Sequence, residues 1–200
     1  MKWCYPSLIW EIKTKRKELF LTFDDGPDPE VTPWVLDQLK AYKAKATFFC
    51  VGNNVEKFPD LYDRIINEGH SVGNHTYSHV NGWETDYEKY IVNVKKCSNV
   101  FGSRLFRPPH GRINRRQIKK LKPTYKIVMW SLLSGDFDPA ISPNECSYNT
   151  VQYSQPGSII VFHDSSKNSK TLFKSLPKIL NHFSSTNWEL NAIQPHHILD

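Results

Sequence analysis

Short apolar runs bounded by turn residues alternate along this chain with longer stretches in which apolar positions recur every three or four residues. A strand buried on both faces reads as a continuous apolar run, whereas a helix packed on one side repeats near 3.6 residues. Residues 19–23 (Leu-Phe-Leu-Thr-Phe) are therefore predicted as a buried strand, 29–42 as a helix with Val31, Val35, Leu36 and Leu39 inward, and 46–51 as a second strand. Leu61, Ile65 and Ile66 mark a helix over 58–68, which Gly69 stops before an extended segment at 70–74. A further helix spans 85–100, capped by Thr85 or Asp86 with Glu88 close behind. A brief strand at Leu105-Phe106 and a basic helix over 114–121 follow, then strands at 125–130 and 157–162. The last helix covers 171–183, starting or kinking at Pro177, and 188–193 adds a final strand. This alternation predicts an α/β fold, a parallel sheet or barrel wrapped by helices. With 200 residues and no repeat or linker, the chain reads as a single domain over 1–200.

Composition narrows the function classes. Thirty-nine per cent hydrophobic residues suffice for a core, and no stretch approaches the ~18 consecutive apolar residues of a membrane span. Leu8-Ile9-Trp10 is too short for a signal-peptide core, so the expected location is cytoplasmic unless the chain is a trimmed exported form. The net charge of +6, with basic clusters at 13–17 and from Arg112 to Lys122, raises the question of an acidic partner. No nucleic-acid-binding motif accompanies the charge, so a solvated face is expected and no nucleic acid, although Arg112, Arg115 and Arg116 are placed to meet an anionic polymer. Cys4, Cys50, Cys97 and Cys146 show no C-x-x-C spacing, which excludes a zinc ribbon or redox pair; Cys50 and Cys97 read as small buried hydrophobes.

Ligands of parallel α/β folds gather at the carboxyl ends of the strands, so polar residues directly after the apolar runs are the candidates for chemistry. Phe23 is followed by Asp24-Asp25-Gly26-Pro27, Val72 by Asn74 and His75, Phe106 by Arg107, and Phe162 by His163-Asp164. Side chains alternate, so Asp24 and Asp25 point differently and suit different tasks; alone, the tetrapeptide reads equally well as a turn. His75 and His79 are four apart, and one helical turn would place them on one face for metal chelation. Eight histidines in 200 residues yield one such spacing by chance about a third of the time. Adding one carboxylate completes a His-His-Asp set that leaves positions open for water and substrate. Arg107-Pro108-Pro109-His110-Gly111 fixes a rigid backbone path that can aim an N–H at a ligand. His163, at the end of a buried strand with Asp164 beside it, can donate a proton or bind a metal.

The combination of TFDDGP at 22–27 with HTYSH at 75–79 resembles the polysaccharide deacetylase family, also called NodB-homology or carbohydrate esterase family 4, over residues 19–193. The resemblance implies a distorted, incomplete (β/α) barrel and an N-deacetylase acting on an aminosugar polymer or oligomer containing N-acetylglucosamine. It makes Asp24 the catalytic base and His163 the acid, with Asp25, His75 and His79 holding Zn²⁺, or else Co²⁺ or Ni²⁺. Arg107 would brace the base, and the backbone N–H of His110, beside Pro109, would help hold the oxyanion. Two departures stand out: His110 replaces the usual tyrosine or phenylalanine, and the fourth motif reads Leu133-Ser134-Gly135-Asp136-Phe137, with Leu133 in place of an acid and Phe137 in place of tryptophan. Asp136, with Asp138 in reserve, is then the carboxylate to orient His163, and Phe137 a wall of the groove. Three rival readings share these residues: hydrolysis of a small cyclic amide or a lipid-linked formylated sugar, a carbohydrate-binding protein that has lost catalysis, and a nucleic-acid-binding module.

Overall fold

The computed structural model describes residues 5–167, 169–194 and 197. Its elements run β1 (Glu18–Asp24), α1 (Val31–Ala41), β2 (Thr47–Cys50), α2 (Gly52–Lys57), α3 (Pro59–Asn67), β3 (Ser71–Asn74), α4 (Tyr87–Val100), β4 (Leu105–Phe106), α5 (Arg115–Leu121), β5 (Lys126–Ile127), β6 (Leu132–Leu133), α6 (Pro143–Tyr153), β7 (Ile159–His163), α7 (Ser169–Ser185) and β8 (Glu189–Leu190). Seven strands lie in the order β5-β4-β3-β2-β1-β7-β6, every pairing parallel, and β8 pairs with the start of β1. The sheet curls into an incomplete barrel. The curl is visible in the reach of one side chain: Arg107, just after β4, touches β1, β2 and the segment after β5.

Period-two alternation along β1 sorts its two faces. Leu19, Leu21 and Phe23 join the cluster under α1 and α7, where Phe23 stacks between Phe48 and Phe162 at ring distances of 5.2 and 5.6 Å. Thr22 and Asp24 occupy the opposite, concave face and meet Arg107 there. Register brings the strand ends level, since Asp24 lies opposite His163 and Phe49, and Cys50 opposite Asn74. One apolar layer thus positions every residue at the carboxyl rim.

The structure departs from the sequence reading in several places. The strand expected over 125–130 is reduced to Lys126–Ile127 and a bridge from Val128 to Ile9, and the Val128 and Met129 carbonyls accept from the Arg107 guanidinium. The strand expected over 188–193 is reduced to Glu189–Leu190. Pro177 does not start the last helix: α7 runs from Ser169 to Ser185 with the proline inside it. A missing N–H costs about 3 kcal/mol, which the buried face of Leu172, Leu176, Ile179, Leu180 and Phe183 outweighs at about 1.5–3 kcal/mol per side chain. Cys50, Cys97 and Cys146 are buried free thiols, and Cys4 lies outside the described residues.

His70 at the start of the β3 segment is buried, and its Nδ1 accepts the Ala46 N–H at 3.1 Å. Burial, and then the nearby Lys45 charge, push its pKa down to about 4. A histidine that stays neutral when folded contributes stability above about pH 6.5, and that contribution is lost as pH falls towards 4. Melting temperatures taken from pH 7 to pH 4 should therefore decline steeply, by the equivalent of at most about 3 kcal/mol. His70→Asn keeps an acceptor but cannot titrate, so it should decline less; an identical slope would remove His70 from this role.

Candidate active site

The rim residues are fixed by backbone pairing and by side chains from neighbouring elements. Asp24 ends β1 and is buried, and its Oδ1 accepts from Arg107 Nη1 at 2.7 Å. The same nitrogen donates to Thr22 Oγ1 at 2.7 Å, while Nε and Nη2 donate to the carbonyls of Val128 and Met129. Arg107 has no exposed surface and lies over the Phe49 ring at 4.1 Å. Burial pulls its pKa below the ordinary value, and Asp24 opposes that pull, so the pair is held together in a water-poor interior.

Asp25 leaves the strand in a left-handed conformation (φ 82°), which turns its side chain away from that of Asp24. Its carbonyl is held by Asn54 of α2 at 2.9 Å. Asp164 fixes the turn from beneath: it accepts the Gly26 N–H at 3.1 Å and the Thr32 hydroxyl at 2.6 Å. A Cβ at position 26 would sit 2.1 Å from Asp164 Oδ2, which is why glycine stands there. Asp164, noted in the sequence only as the polar neighbour of His163, is fully buried in this scaffold.

His75 and His79 lie close, with ring centres 5.1 Å apart, but the helical turn expected to bring them together does not form. They sit on a loop with left-handed backbone at Thr76 (φ 65°) and His79 (φ 54°). Asn93 of α4 holds that loop, its Oδ1 accepting the N–H groups of Tyr77 and Ser78 at 2.8 and 3.1 Å. Asn74 Oδ1 likewise accepts from Thr76 N–H at 2.8 Å. Nδ1 of His75 donates to the Arg107 carbonyl at 2.8 Å, which fixes the ring and leaves Nε2 pointing to the carboxylates. Asp25 Oδ1 lies 3.6 Å from His75 Nε2 and 3.0 Å from His79 Nε2. Burial works against the Asp25 charge, yet the two histidines hold its carboxyl well below the usual range. Donor atoms of Asp25, His75 and His79 all lie within 4.8 Å of one another, a set that suits a divalent ion such as zinc.

On the other side, His163 ends β7, and both its backbone N–H (2.7 Å) and Nδ1 (2.9 Å) meet the Asp136 carboxylate. Ser134 donates to the same carboxylate at 3.1 Å. Asp138 serves elsewhere, accepting from Ala140 N–H at 2.9 Å. Burial disfavours the His163 imidazolium, but Asp136 first, then Asp24 and Asp25, bring its pKa up to about 9. Phe137 is 45% exposed and stands edge-on to the His163 ring at 5.2 Å. Pro109 is buried in a short 3₁₀ turn, Pro109–Gly111, and His110 adopts a left-handed conformation (φ 58°) with its ring 4.8 Å from that of His79. The expected anionic-polymer contact by the basic helix is weakened, because Arg112 pairs with Glu84 and Arg116 with Glu88.

These constellations coincide with a known sequence family, since the family described as Polysaccharide deacetylase matches residues 11–124. The chain belongs to the polysaccharide deacetylase family. It is 38% identical over 180 residues to a peptidoglycan-N-acetylglucosamine deacetylase of Bacillus cereus, covering 86% of this chain and 84% of that one. A second Bacillus cereus protein of the same name is 41% identical over 155 residues, 74% of this chain, which spans 56% of that relative's length. A chitooligosaccharide deacetylase of Azorhizobium caulinodans is 32% identical over 163 residues, 76% of each chain. Among solved structures, a peptidoglycan N-acetylglucosamine deacetylase bound to 4-naphthalen-1-yl-N-oxidanyl-benzamide superposes with a TM-score of 0.88 at 33% identity, covering 96% of this chain and 94% of that one. Membership of the family accounts for the incomplete barrel. The supports that sequence reasoning missed, Thr22, Asn54, Asn93 and Asp164, come from four different segments. Only Thr22 carried a signal, lying two residues before Asp24 and hence on the same strand face.

Proposed function

We propose that this family member is a zinc-dependent N-deacetylase, hydrolysing the acetamide of an N-acetylglucosamine-containing poly- or oligosaccharide to acetate and a free amine. The observation that carries the reading is the division of labour around one three-donor cluster. Asp24 is paired to a buried arginine on one strand, and His163, opposite it on the next, is held by Asp136 with its pKa raised to about 9. Neighbouring titratable groups in such different environments mark a base and an acid.

Asp25, His75 and His79 would hold the zinc ion, with Co²⁺ or Ni²⁺ as substitutes, and the ion supplies Lewis acidity and a more acidic water. Asp24 takes a proton as water adds to the acetamide carbonyl. His163, protonated at neutral pH, gives its proton to the nitrogen as the C–N bond breaks. The backbone N–H of His110 is the donor for the oxyanion, with Pro109 fixing its path and Phe137 forming the wall beside His163. The names of the relatives support the substrate class.

Acetate release from N-acetylglucosamine oligomers by chelated protein, before and after adding Zn²⁺, tests the proposal. Release restored by zinc is expected; no release with zinc demonstrably bound would overturn it, and cleavage of cyclic imides instead would redirect the substrate assignment.

A further inference from the structure

Trp83 combines exposure with fixation. It is 58% exposed, yet its indole N–H donates to the Ile113 carbonyl at 3.2 Å and its backbone N–H to Asn81 Oδ1 at 3.0 Å. The Arg112 guanidinium packs 5.5 Å from the ring centre and is itself held by Glu84 at 3.1 Å. A surface tryptophan tied at so many points has already lost its rotamer freedom, and more than half of its surface remains open to a ligand.

Its place in the fold is equally specific. Trp83 follows His79 by four residues, a span of at most about 14 Å of extended chain. Its loop packs directly on the segment carrying His110: a Cβ at Gly82 would sit 2.3 Å from the Arg112 carbonyl oxygen, and the His79 and His110 rings meet at 4.8 Å. Phe137, also exposed, stands against His163 at the other side of the centre. Exposed aromatic residues thus lie on the loop that follows His79 and against His163.

We propose that Trp83 is a stacking platform for a sugar ring next to the one whose acetamide reacts, so that the site grips an N-acetylated aminosugar oligomer over several units. The apolar C–H face of a pyranose matches an open indole face, whereas a small amide or imide substrate would not reach it. The inference rests on the aminosugar part of the proposed function. It does not require turnover, because a platform binds sugar whether or not the amide is cleaved.

The test compares wild type, Trp83→Ala and Trp83→Phe, all zinc-loaded, on the monomer and hexamer of N-acetylglucosamine. In Trp83→Ala the ratio of hexamer to monomer kcat/KM should fall about tenfold, through KM, and Trp83→Phe should retain most of it. An unchanged ratio would overturn the platform even if turnover itself fell. Calorimetric binding of the hexamer judges the case in which wild type shows no turnover, where the deacetylase reading alone has failed. Binding that weakens about tenfold in Trp83→Ala then sustains the platform. Equal binding by the variant, or none by wild type, refutes it.

Discussion

Asp24→Asn is expected to lower kcat by about 10²–10⁴-fold while leaving zinc affinity within a few-fold of wild type. The substitution removes the proton acceptor but retains an oxygen that can accept from Arg107 Nη1. The three proposed metal donors belong to Asp25, His75 and His79 and are not altered. The variant should also melt at a lower temperature, since the Arg107 charge, with no exposed surface, loses its carboxylate and keeps only neutral partners in Thr22, Val128 and Met129. Single-turnover acetate release together with a zinc titration separates the two effects. Near-wild-type turnover would refute the assignment of Asp24 as base, and lost zinc binding would place Asp24 among the ligands.

Asp136→Asn is the second large effect, and its signature is a displaced pH profile. A general acid works while protonated, so wild-type kcat/KM should hold on the alkaline side until pH approaches about 9, where His163 deprotonates. Burial alone pushes the imidazole the other way, and Asp136 is the main group opposing it. Without that carboxylate the alkaline limb should move down by two or more pH units. Activity at pH 8 should then fall by at least about tenfold, with part of it recovered at lower pH. An unshifted limb would mean that another group sets the proton donor. The same pair contributes to stability: because the folded pKa is raised, its contribution is complete below about pH 6.5 and fades as pH rises through 9.

What the sequence displayed and what it concealed have separate physical origins. The β1 strand and α1 helix were legible because their apolar periods are strong and their inner faces are fully buried. Eight of the ten candidate site residues follow apolar runs legible as strands, whereas Asp136 and Phe137 follow β6, which no apolar run announces, and are reached only through the family resemblance. The α6 helix went unread although Ser142-Pro143-Asn144-Glu145 carries a complete start signal, realised as a capping box with proline in the first turn. Its inward residues, Cys146, Ser147 and Thr150, are small or polar, so no apolar stripe announced it. The histidine pair was found by a spacing argument whose geometry was wrong. Left-handed residues at 76 and 79, held locally by Asn74 and from α4 by Asn93, do what a helical turn was expected to do. Long-range hydrogen bonds such as those of Asn93 have no local pattern, and the bond by which Asp136 rather than Asp138 holds His163 is of the same kind.

The placement of Arg107 bears on how this protein can change over time. One guanidinium ties β1, the Val128–Met129 segment and the Phe49 ring together while also bracing Asp24, the proposed base. Mutational drift that reaches Arg107 is penalised twice, through folding yield and through turnover. Drift at Phe137, or at the partly exposed His163 with its one carboxylate partner, is penalised mainly through turnover. Loss of catalysis in a descendant would therefore begin on the β7 side of the site, leaving a folded barrel with its arginine keystone intact.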